Sequence, residues 1–174
     1  MFVGRETELK RFRKFFEGRG ASLALVYGRR RVGKSALIKQ AVKDANIPSI
    51  VYECKQTTEA NNANSLSNLV AETLDSPVAF PSFEEILLSL FQRAEKQPII
   101  LVLDEYPYLR RVIPGLDSII QALVDRNKET SMLKLVLCGS FVETMKGLRE
   151  GSNPLYGRVS LDLNLKPMDY QIRA

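Results

Sequence analysis

Gly28-Arg29-Arg30-Arg31-Val32-Gly33-Lys34-Ser35 sets two glycines, a lysine and a hydroxyl in the spacing G-x-x-x-x-G-K-[S/T]. Glycines let a backbone curl until successive N–H groups converge on one concavity, which suits an anion. Lys34 adds a compact positive charge able to reach outer phosphates, and the Ser35 hydroxyl can sit on a magnesium ion bridging them. Gly28 through Ala36, with Arg29, Arg30, Arg31, Val32 and Gly33 between, are therefore candidate nucleotide-binding residues. The second group is Asp104-Glu105, directly after five branched aliphatics, Ile99 to Leu103. An aspartate at the carboxyl end of a central parallel strand faces the ligand crevice and can hold magnesium through water. The next acid can orient the attacking water or take its proton. Asp104 and Ser35 are the candidate metal ligands, Glu105 the candidate water activator, and Lys34 the candidate catalytic cation.

Two further positions are open to more than one reading. Ser140 follows the apolar run Leu133 to Cys138 and Gly139. It either places the attacking water near the terminal phosphate or caps the next helix. Arg158 follows Leu155-Tyr156-Gly157. It is either a surface arginine or one that acts from a neighbouring subunit on charge developing during phosphoryl transfer. Arg149 is the weaker candidate for the second duty.

These residues need strands and helices to carry them. Ser22 to Tyr27 is a short apolar run, as a strand covered on both faces reads. Leu37, Ile38, Ala41, Val42 and Ala45 recur at helical spacing, so a helix over Lys34 to Ala45 should start at the loop and aim its positive dipole end at the phosphates. A helix over Glu6 to Glu17 precedes the first strand. Further strands are expected at Ser49 to Cys54, Ile99 to Leu103, Leu133 to Cys138 and Arg158 to Leu165. Helices are expected at Asn61 to Leu74, after the N-cap Ser82, at Asp117 to Asn127 and around Phe141 to Leu148. Ser76-Pro77 and Pro81 mark a loop. The alternation predicts an α/β fold with a mainly parallel sheet.

The bulk composition narrows the class. With 174 residues, 45% hydrophobic and 26% charged, the chain can bury one sizeable core. No apolar run approaches the ~20 residues of a membrane helix, and the N-terminus lacks the pattern of a secretory signal. Cys54 and Cys138 are too few and too distant for a disulfide framework or a zinc cluster and read as buried thiols. The expected compartment is the cytoplasm. Net charge is +5. That surplus admits a nucleic-acid partner, or it serves a nucleotide and a solvated helix face.

Taken together, the motifs resemble those of AAA+ ATPases, and more narrowly an archaeal and bacterial group related to the STAND-type signalling NTPases. Phe2-Val3-Gly4-Arg5-Glu6 is similar to the N-terminal box of these domains, which places Val3, Gly4 and Arg5 near the adenine. Tyr27 to Ser35 resembles the group's arginine-rich Walker A loop, Leu103 to Leu109 its Walker B segment, Leu137 to Ser140 its sensor 1, and Leu155 to Arg158 its finger-arginine segment. The resemblance implies a three-layer αβα P-loop NTPase with a five-stranded sheet in the order 5-1-4-3-2, ATP or ADP with Mg²⁺, and a homo-oligomer of the full-length protein. It also implies a helical lid after the last strand. Residues 1–174 are thus expected to be one ATPase core, with the lid and any effector domain outside it.

The leading expectation is a magnesium-dependent ATPase that turns hydrolysis into movement of an attached module. The rivals are a slowly hydrolysing signalling switch and a DNA- or RNA-associated motor or loader. A small-molecule kinase is disfavoured, because an acid pair suits water activation and no acceptor motif is present.

Overall fold

The computed structural model describes residues 4–75 and 82–168; Met1 to Val3, the expected loop at Ser76 to Pro81, and residues 169–174 lie outside the described residues. Five strands, β1 (Ser22–Tyr27), β2 (Ser49–Glu53), β3 (Ile99–Asp104), β4 (Leu133–Gly139) and β5 (Val159–Asn164), form one sheet. Its order is β2-β3-β4-β1-β5, all parallel, which is the expected order read from the other edge. The helices are α1 (Glu6–Glu17), α2 (Lys34–Ala45), α3 (Glu59–Leu74), α4 (Phe83–Arg93), α5 (Tyr106–Val112), α6 (Leu116–Asn127) and α7 (Val142–Gly147).

Side chains alternate across a strand, so each strand feeds two cores. Leu23, Leu25 and Tyr27 pack with Leu101, Leu103, Leu135 and Leu137 under α3, α4 and α6. Ala24, Val26, Ile100, Val102, Val136 and Cys138 pack under α1 and α2 on the opposite face. That two-sided burial explains why β1, β3 and β4 read as unbroken apolar runs. Both cysteines are buried free thiols. Among the described residues no helix is long and apolar enough to cross a membrane.

Several boundaries differ from expectation by one or two residues, and one helix is added. β2 ends at Glu53, one residue before Cys54. The helix expected from Asn61 starts at Glu59, because the Thr58 side chain caps it by accepting the Asn61 N–H at 3.1 Å. A helix over Tyr106–Val112, with Pro107 in its first turn, was not among the expected elements. Proline is tolerated in a helix's first turn, where its missing N–H has no partner to lose. Tyr106 anchors α5: its buried hydroxyl donates to Asp117 Oδ1 at 2.6 Å, and Asp117 also receives Arg110 Nη2 at 2.8 Å and Asn153 Nδ2 at 3.1 Å.

Lys134 is only 1% exposed although it carries a charge. Its ammonium donates to the carbonyls of Gly18 and Gly20, each at 2.7 Å, and to Ser22 Oγ at 3.3 Å, tying β4 to the turn after α1. Burial pulls its pKa down. Lys134→Met would leave two carbonyls without their donor. It should cost about 2–4 kcal/mol and lower the urea midpoint of unfolding. An unchanged midpoint would refute the tether.

Candidate functional site

Strand register brings the chemistry-bearing residues to one edge. Glu53 pairs with Asp104, and Tyr27 pairs with Gly139, so the carboxyl ends of β2, β3, β4 and β1 line up. Connections leave this edge in opposite directions around β1 and β4, which opens a crevice there.

The loop after β1 is shaped by close approach and by left-handed backbone. A Cβ at Gly28 would lie 2.5 Å from the Leu165 carbonyl oxygen, so only glycine fits beside β5. Arg31 has φ 68° and Gly33 φ 94°, a reversal that curls the loop onto the first turn of α2. Lys34 opens α2 and is largely buried. Its ammonium donates to the carbonyls of Gly28 at 2.7 Å and Arg29 at 2.9 Å. Burial lowers its pKa, and the Glu105 and Asp104 carboxylates pull the other way.

Lys34, Ser35, Asp104, Glu105 and Ser140 line one crevice of about 550 Å³, with Arg30 and Arg31 also on its wall. Glu105 holds φ 55° as the residue before α5, an uncommon conformation for a non-glycine. Its carboxylate accepts the Ser140 N–H at 3.1 Å and the Ser140 hydroxyl at 3.0 Å on Oε1. The residue preceding α7 is Phe141, and no side chain caps that helix, so the Ser140 hydroxyl is spent on Glu105. Asp104 accepts the Glu105 N–H on Oδ1 at 2.9 Å. Burial raises its pKa, and the Glu105 N–H and the Lys34 charge oppose that rise.

Arg5 acts as a clamp. One guanidinium nitrogen donates to the Val32 carbonyl at 2.9 Å and the Lys166 carbonyl at 2.7 Å, joining the loop to the segment after β5. Gly4 sits against Met168. A second cavity of about 390 Å³ lies beside the loop, lined by Gly28, Arg29, Val32, Lys146, Leu165 and Lys166. Ala36 is exposed in the first turn of α2. Val3 lies outside the described residues.

Arg158 is not brought to the crevice. It pairs with Asp125 on α6, Nε to Oδ1 at 2.9 Å and Nη2 to Oδ2 at 2.8 Å, and that contact lowers the Asp125 pKa. Arg149 pairs with Asp162 at 3.0 Å. Glu53, Lys55, Gln56 and Tyr108 also line the crevice and were not among the candidate site residues read from sequence. The expected sheet order held the signal for three of them, because it put the end of β2 beside Asp104. A larger cavity, about 720 Å³, lies elsewhere between α5, α6 and α7, and its buried carboxylate, Asp117, is already saturated by three partners.

Known proteins share this architecture. The Walker-type ATPase PABY2304 of Pyrococcus abyssi superposes with a TM-score of 0.76 at 23% identity, over 97% of this chain and 55% of its own. The ORC2 protein of Aeropyrum pernix, solved in ADPNP–ADP complexes, gives 0.71 at 18% identity, over 94% of this chain and 48% of its own. The uncharacterised protein MJECL04 of Methanocaldococcus jannaschii is 28% identical over 172 residues, which is 98% of this chain and 37% of that protein. This chain therefore spans between about a third and a little over half of the length of these three proteins. Residues 2–173 match the family described as an ATPase domain predominantly from Archaea, and the chain belongs to that family of P-loop ATPases.

Proposed function

We propose that the chain holds ATP with its phosphates on Gly28–Ser35, hydrolyses it, and uses that cycle to move an attached module. The observation that carries this reading is the Glu105 carboxylate, fixed by two Ser140 hydrogen bonds in the crevice it shares with Lys34. Loop N–H groups and the α2 dipole would take the phosphates, and Lys34 would leave the carbonyls of Gly28 and Arg29 for an outer phosphate. The cavity beside Arg29 and Lys166 is the candidate base site, with Arg5 held to the Lys166 carbonyl at its approach.

Asp104 and Ser35 suit magnesium. Both offer hard oxygen, and among the described residues Asp104 Oδ2 has no hydrogen-bond partner. Bound there, the ion would neutralise charge on the phosphates. Glu105 would orient a water in line with the γ-phosphorus and accept its proton as the new P–O bond forms. The bond to the bridging oxygen breaks, and ADP leaves with the electron pair. Arg158 would act on a neighbouring copy in an oligomer, once released from Asp125. The buried thiols accord with a cytoplasmic setting.

Phosphate release from ATP, with and without added nucleic acid, tests this reading. Saturable release independent of nucleic acid is expected. Release only when DNA or RNA is present, steeply lost with salt, would favour a nucleic-acid motor or loader. Tight ATP binding with almost no release would favour a signalling switch.

A further inference from the structure

We propose that Lys55, held at the corner after β2, is a second cationic contact for the terminal phosphate and sets a preference for nucleoside triphosphate over diphosphate. This rests on the reading that the crevice takes a triphosphate. The corner is built with unusual care. Asn62 on α3 is fully buried, and its amide is committed to this turn. Its Oδ1 accepts the Tyr52 hydroxyl at 2.6 Å and the Lys55 N–H at 3.0 Å. Its Nδ2 donates to the carbonyls of Lys55 and Thr58, each at 3.1 Å. That exhausts an amide's two donors and two acceptor sites, and both backbone groups of Lys55 are tied. A buried amide is costly unless every bond is made, and here each bond holds the turn or the strand before it.

The side chain it presents is free. Lys55 is exposed, and among the described residues its ammonium has no ion-pair or hydrogen-bond partner. It lines the same crevice as Lys34, Asp104 and Glu105. β3 and β4 separate β2 from β1, so Lys55 and the phosphate loop approach from opposite walls, about 14 Å apart at three strand spacings. A diphosphate seated on the loop ends before that far wall; a terminal phosphate over β3 and β4 extends toward it. Charge agrees with this placement. Arg30, Arg31, Lys34 and Lys55 face Glu53, Asp104 and Glu105, and removing Lys55 erases the positive excess of the wall.

The test titrates wild type, Lys55→Met and Lys55→Arg with a non-hydrolysable ATP analogue and with ADP, both in Mg²⁺. Lys55→Met should bind the analogue about tenfold more weakly, the loss of one exposed charge-assisted contact, with ADP affinity unchanged. Lys55→Arg should recover most of the loss. Equal affinity in wild type and Lys55→Met, or equal losses for analogue and ADP, overturns the inference alone. A wild-type chain that binds neither nucleotide overturns the reading of the crevice and this inference with it.

Discussion

Glu105→Gln is expected to lower ATP turnover by about 10²–10⁴-fold while leaving ATP affinity within about twofold of wild type. The amide has the carboxylate's shape, and its oxygen can still accept the Ser140 N–H, so the crevice wall should persist. It cannot take a proton from water. The split between lost turnover and retained binding separates a chemical role from a structural one, because a misfolded variant would lose both. Phosphate release and nucleotide titration on the same preparation measure the two sides. Turnover within tenfold of wild type would remove Glu105 from the chemistry.

Lys34→Ala should weaken ATP binding by about 10–100-fold, the range for a lost hydrogen bond to a charged group. The same change releases the Gly28 and Arg29 carbonyls, so the loop loses its internal tie as well. Arg29 is exposed, so water can replace the ammonium at its carbonyl, whereas Gly28 is buried. The urea midpoint should fall by less than in Lys134→Met, because Lys34 ties only its own loop while Lys134 joins β4 to the turn after α1. A large stability loss with intact binding would invert the assignment, making Lys34 a structural tether.

Much of this site was legible because its physics is local. A phosphate loop announces itself through glycines and a lysine at fixed offsets. Unbroken aliphatic runs such as Ile99 to Leu103 report burial on both faces, and Asp104-Glu105 follows directly in sequence. The parallel sheet follows from that alternation, while its strand order, and with it the adjacency of Ser140 to the acidic pair, is what the resemblance to AAA+ ATPases implies. What sequence hid depends on long-range partners. The helix α5 was not expected, and its anchor is Asp117, eleven residues beyond Tyr106. Lys134 looks like any lysine in a strand, and only the carbonyls of Gly18 and Gly20 reveal its duty. Asn62 reads as a weak helix residue, yet its amide fixes the corner that carries Lys55. Arg158 drew notice through its neighbours in sequence; its bond to Asp125 on α6 became visible only in the fold.

The central claim is that Gly28–Ser35 grips a nucleoside triphosphate, and calorimetric titration of the chain with ATP in Mg²⁺ tests it most directly. The account predicts saturable binding of one ATP per chain, weakened about 10–100-fold in Lys34→Ala. No binding by the wild type, or the same affinity in both proteins, would contradict it.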